Sequence, residues 1–268
     1  MKAVNDTYKN TNTEYFDNII SLGNRCETAF AIKAVFGTVN STFFNWVSDP
    51  DIKSLLSFLN NPDLLFSKGM ITQDYMMCKD LEFGFEFHPK IDKSKMYDEN
   101  GNYIGADKSM VDLEEVKSRM TYLKNKFFNS VKSNDRNLFV LCYNSNWDIK
   151  TAKQSIEELE IWLKSNSANK DSKLMLIFEK KYYKKLGISP NNFMIIKTVN
   201  KFSHPKHADE INIKDWINIF KNIEPLYPHE TNIDVITENY KKYLNSKPHK
   251  IIHFLGFRIK IRRKNQSL

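Results

Sequence analysis

Cys26 follows Ser21-Leu22-Gly23-Asn24-Arg25, a short apolar run broken by glycine, and opens a stretch of helical periodicity. A strand that turns tightly into a helix leaves unpaired backbone N–H groups at the first helical turn. Their partial positive charge favours anions, so a thiol there ionises more readily, and the thiolate is the nucleophile. Arg25 adds positive potential, Asn24 can cap the helix, and the amides of this turn are available to hold an oxyanion. The same position also suits a small buried helix residue, which is how most free cysteines behave.

A cysteine nucleophile needs an imidazole within hydrogen-bond reach to share its proton and then protonate the leaving group. His88 ends the alternating run Leu81–Phe87, a place from which a side chain can project above a sheet, and it also fits a plain loop histidine before Pro89. Asp148 follows Asn144-Ser145-Asn146-Trp147, just past an apolar strand, where parallel sheets commonly carry their sites. It is a candidate to fix the imidazole tautomer. His204 and His207 have metal-like spacing but no neighbouring cysteine, and the segment has the composition of a loop. With eight glycines and neither phosphate-binding fingerprint, the chain is expected to use no cofactor and no metal. Glu157, Glu158 and Glu160 are expected on the wet face of a helix, Glu160 four residues before Lys164.

The elements that must position these groups follow from periodicity. Ile19 to Leu22 has the character of a short buried strand, and Arg25 to Phe36 of a helix closed by Gly37. Phe43 to Val47 is strand-like, and Ser48-Asp49-Pro50-Asp51 starts a helix with the stripe Ile52, Leu55, Leu56 and Leu59. Leu81 to Phe87 alternates as a half-buried strand, and Asp98 to Gly101 is a turn leading to Tyr103-Ile104. Leu113, Val116, Met120, Leu123 and Phe127 mark a long helix. Strands at Leu138–Cys142, Lys173–Phe178 and Phe193–Ile196 then alternate with a helix marked by Ala152, Ile156, Leu159 and Leu163. Further helices are expected over Ile213–Ile219 and Val235–Leu244. Such alternation predicts an α/β fold with a mainly parallel central sheet flanked by helices, and irregular loops in the N-terminal half. A single domain over 1–245 and a basic amphipathic tail over 246–268 is the simplest division.

Ile20-Ser21-Leu22-Gly23-Asn24-Arg25-Cys26-Glu27-Thr28-Ala29 resembles the opening signature of a family described as papain-like cysteine peptidases, a domain of unknown function. The family's Pro-Phe-Asp-Trp motif is similar to Phe43-Phe44-Asn45-Trp46, with proline and aspartate replaced, and Gly84-Phe85-Glu86-Phe87-His88 resembles its glycine–aromatic–histidine segment. The helix with Arg119 and the strand Phe139-Val140-Leu141 also match in place, so the resemblance covers roughly the first 165 residues. It implies Cys26 as nucleophile, His88 as base and Asn45, at the aspartate position, as the residue that orients the imidazole. It also implies an association with bacterial surface polysaccharide.

Of the 40 basic residues, nine lie from Lys241 onward, where no acidic residue occurs, leaving 31 against 32 acidic residues in the body. The body is thus near neutral, which argues against a nucleic-acid groove. Residues 250–264 mix apolar and basic types; as a helix they could lie on an anionic membrane, and as strands they could form a charge-guarded edge. No secretory signal or spanning run is evident, and three scattered cysteines make no disulfide framework, so the expected location is cytoplasmic or peripheral at the inner membrane face. The leading expectation is a thiol-dependent hydrolase or acyl-transfer enzyme acting on a peptide, amide or glycan. A carbohydrate-active transferase or accessory protein, and a non-catalytic binding protein, are the alternatives.

Overall fold

The computed structural model describes residues 13–23, 26–37, 41–48, 51–73, 77–89, 96, 98–100, 102, 105, 108–143, 147–203, 210–225, 233–246, 250–254 and 257–261. Its first elements are β1 (Glu14–Phe16), β2 (Asn18–Ser21), α1 (Cys26–Phe36), β3 (Val47–Ser48) and α2 (Ile52–Asn60). There follow β4 (Met70–Thr72), β5 (Cys78–Asp80), β6 (Glu86–Phe87), α3 (Leu113–Lys132), β7 (Asn137–Cys142) and α4 (Ile149–Asn166). The remainder comprises β8 (Lys173–Glu179), α5 (Lys180–Leu186), β9 (Met194–Val199), α6 (Ile213–Ile219), β10 (Ile223–Pro225), α7 (Ile233–Ser246), β11 (Lys250–Phe254) and β12 (Phe257–Ile261).

Strands β2, β7, β8 and β9 form a four-stranded parallel sheet in that order. Every residue of β7 is buried, as expected of a strand covered on both faces. Successive residues turn to opposite sides. Ile20, Phe139, Leu141, Leu174, Leu176 and Phe178 face one core, completed by α2, α3 and α4. Ile19, Leu138, Val140, Cys142, Met175 and Ile177 face the other, completed by α1, α6 and α7. The result is an α/β fold with a parallel sheet between helical layers.

A second sheet, antiparallel in the order β3-β6-β5-β4, adjoins the first core. Phenylalanines join them: the Phe43 ring stacks on Phe58 at 4.7 Å and meets Phe85 and Phe87 edge-on at 5.6 and 5.8 Å. Much of this region departs from the expectation. Phe43–Trp46 is a 3-10 turn rather than a strand, and only Val47–Ser48 extends. The alternating run shrinks to β6, because the buried Asp80 carboxylate accepts the N–H groups of Phe83 (2.6 Å) and Phe66 (2.9 Å) and bends residues 81–83 into a turn. Phe83, Phe85 and Phe87 are nonetheless all buried, so the alternation reported burial correctly. Tyr103 and Ile104 lie outside the described residues.

The helix starts are better matched. Asp51 caps α2 through Lys53 and Ser54, and Asp112 caps α3 through Glu114 and Glu115. Glu160 departs from its expected wet face: it is 9% exposed, bonded to Lys164 at 2.6 Å and to Asn191 at 2.9 Å. Of the two forms open to the tail, strands occur. β11 and β12 make an antiparallel hairpin in which Phe254 pairs with Phe257. Among the described residues, no helix is long and apolar enough to cross a membrane.

Candidate functional site

Cys26 is the first residue of α1, at the carboxyl end of the edge strand β2. The strand carries on in register as Leu22 N–H donates to Val140 O at 2.8 Å, and Gly23 follows with φ +82°. A Cβ on Gly23 would stand 3.3 Å from the Phe44 ring, so this turn rests directly on the 3-10 turn that carries Asn45. Cys26 is partly exposed, whereas Cys78 and Cys142 are buried. Asn24 and Arg25, the expected oxyanion-holding amides, lie outside the described residues.

Glu27, beside Cys26, went unremarked as a site residue in the sequence. It is 1% exposed, and its carboxylate accepts Trp216 Nε1–H at 3.2 Å and Ser203 N–H at 2.9 Å. It thereby ties the first turn of α1 to α6 and to the chain leaving β9. Glutamate in a first helical turn also complements the dipole on a solvated helix, so residue type alone gives no signal of burial. One residue on, Thr28 Oγ1 lies 3.0 Å from Cys142 Sγ, binding α1 to the end of β7.

His88 follows β6, whose Phe87 pairs with Val47 immediately after the same 3-10 turn. The side chain is exposed, and its carbonyl oxygen accepts Arg119 Nη2–H at 2.6 Å. Gly23 and the strand end before His88 thus each adjoin the segment 43–47. The Trp46 side chain lies outside what is described.

Neither candidate for the third member is a free group. Asn45 is 3% exposed, and its Oδ1 accepts both the N–H and the hydroxyl of Thr42, each at 3.0 Å. The oxygen an imidazole would engage thus already has two donors. Asp148 is exposed and caps α4, accepting Thr151 N–H at 2.9 Å. That backbone bond, then the Thr151 hydroxyl, then Lys150 and Lys53 nearby, hold its carboxyl below the ordinary value. Asp148 sits past the end of β7, next to β2 in the sheet, as the sequence indicated. Beside it, Tyr143 donates to Trp147 O at 3.1 Å; burial, then Tyr182 and Asp148, raise its phenol above the usual value.

Among the described residues, no group of three or more His, Cys, Asp or Glu could hold a metal ion. His204 and His207 lie outside them. Compared with family models, curated proteins and solved structures, the chain matches none.

Proposed function

We propose that the protein is a thiol-dependent hydrolase or acyl-transfer enzyme with Cys26 as its nucleophile. The observation that carries this reading is the position of Cys26: a partly exposed cysteine at the first residue of an 11-residue helix, at the carboxyl end of a parallel strand. The first helical turn favours a thiolate. In the proposed reaction Cys26 Sγ attacks the carbonyl carbon of an amide, and the C–N bond breaks as the leaving amine takes a proton from His88. Water, deprotonated by the same imidazole, then attacks the thioester and releases the acid and the free thiol. Peptide, amide and N-acylated glycan substrates all present that carbonyl.

Alkylation with iodoacetamide across pH tests the nucleophile. Cys26 is expected to react faster than a free cysteine peptide at neutral pH, with a midpoint below the ordinary ~8.5. Replacing His88 by Ala should move that midpoint upward. A midpoint at the ordinary value, with the peptide's rate constant, would overturn the reading.

One observation favours a non-catalytic binding protein instead. Asn45 and Asp148 are both committed to local caps, leaving no free orienting group among the residues considered. In that case Cys26→Ala would leave ligand binding and cellular phenotype intact.

A further inference from the structure

Strands β11 and β12 make a ribbon whose two faces differ in kind. In an antiparallel ladder, residues that stand opposite one another share a face, and successive residues along a strand alternate between faces. The register pairs Ile252 with Ile259, Phe254 with Phe257 and, at the open end, Lys250 with Ile261. One face is therefore apolar except at Lys250. The pairs Ile251–Lys260 and His253–Arg258 make up the other, where two cations and an imidazole stand beside a single isoleucine.

The ribbon is also graded along its length. Its closed end carries the phenylalanine pair, with Leu255 and Gly256 between the two in sequence. Its open end carries Lys250, and Arg262, Arg263 and Lys264 follow β12 directly in the chain. From Lys250 to Phe254 a strand advances about 13 Å. That exceeds the ~5–10 Å by which interfacial segments bury their apolar side in a bilayer, so the phenylalanines can reach hydrocarbon while the cations stay among headgroups.

A lone two-stranded hairpin is marginal in water, and no third strand among those described pairs with this one, so its stability rests on whatever meets its apolar face. Residues 247–268 hold seven basic residues and no acidic one, which selects an anionic cover. A second copy brings the same charge, and lysine on strand edges is a means of discouraging such pairing. A nucleic acid satisfies the cations but leaves the isoleucines without an apolar partner. An anionic bilayer satisfies both faces at once.

We propose that the C-terminal hairpin docks on an anionic lipid bilayer, apolar face inward and closed end deepest, with the basic face and the open end held among the headgroups. This surface is separate from the thiol chemistry proposed above and does not depend on it.

Flotation of the full chain with lipid vesicles tests the proposal. Binding is expected to vesicles rich in phosphatidylserine at about 0.1 M salt, and not to phosphatidylcholine alone. Phe254→Ser combined with Phe257→Ser should weaken binding about tenfold and leave the thermal transition of the body where it is. Arg258→Gln combined with Lys260→Gln should weaken it by a similar factor and flatten its dependence on salt. Lys184→Gln with Lys185→Gln removes the same charge from exposed positions on α5 and should bind as the natural chain does. Absence of binding to the anionic vesicles, undiminished binding by the phenylalanine variant, or an equal loss in the α5 variant would each overturn the proposal. So would a lower Tm of the body in the phenylalanine variant, which would assign the apolar face to the body itself. A dimer of the full chain, or oligonucleotide binding, that the same phenylalanine pair abolishes would assign the face to a second copy or to nucleic acid and overturn it equally.

Discussion

At Gly23 two demands coincide: a φ of +82°, which L side chains rarely adopt, and a Cβ position 3.3–3.4 Å from Phe44. Alanine there is expected to cost about 1–2 kcal/mol for the left-handed conformation alone. The drop should appear as a lower Tm together with slower Cys26 alkylation, since the same turn sets the start of α1. Asp80 makes the opposite kind of demand. It is fully buried, and burial raises its carboxyl above the ordinary value despite backbone bonds from Phe83, Phe66 and Glu82. A carboxyl raised on folding favours the folded state while protonated, so its contribution is full below the unfolded value of ~3.9 and lost as pH rises through the folded one. Asp80→Asn would turn an NH2 towards at least one of these N–H groups and is expected to cost about 1–3 kcal/mol. In denaturant titrations the gap between the natural chain and this variant should narrow from acid towards neutral pH. A gap that widens instead would contradict the assigned burial effect.

Between elements, the tail forms a hairpin of its own. β11 and β12 pair with each other and with no other described strand. Deleting residues 247–268 is therefore expected to leave the thermal transition of the body unchanged. The same deletion removes seven of the nine C-terminal basic residues, Lys247 to Lys264. Sedimentation with vesicles rich in phosphatidylserine should show the full chain bound at low salt and the shortened chain free; equal partition of both would discard the membrane contact. Legibility differed sharply among elements. Helix α2 could be placed from Asp51 and its apolar stripe, and α3 from its stripe alone, because capping and periodicity are local signals. The antiparallel sheet could not, since β4, β5 and β6 run two or three residues each and exist through Asp80 and the phenylalanine cluster. Phe43–Trp46 looked extended because aromatic residues favour strands, but Asn45 and Thr42 bond to one another and close a turn.

At the level of the fold, the parallel sheet belongs to both cores at once, with alternate residues of β7 and β8 in each. Neither core can open without stripping one face of the same strands. Unfolding is expected to be a single transition, with Trp216 fluorescence, which reports the α1–α6 side, coinciding with far-ultraviolet circular dichroism. A separate early transition would mean that the antiparallel sheet melts alone. The three-layer arrangement was readable from continuous apolar runs such as Leu138–Cys142, which only a doubly covered strand tolerates. The candidate site was readable in part: strand, glycine and cysteine in sequence gave the position of Cys26. The burial of Glu27 and the commitments of Asn45 depend on partners such as Trp216 and Thr42 that no spacing reveals.

The pairing of β2 with β7 joins Asn18 to a residue 119 positions later. On a ribosome adding roughly 5–20 residues per second, Ile19 and Ile20 must wait about ten seconds for the strand that covers them. Through that interval the turn before Cys26 lacks the Val140 carbonyl that holds it, and α1 lacks Cys142 beneath Thr28. Whatever reactivity the sulfur gains from its place on the helix is thus withheld from the nascent chain and arrives only once more than half of the protein has been made.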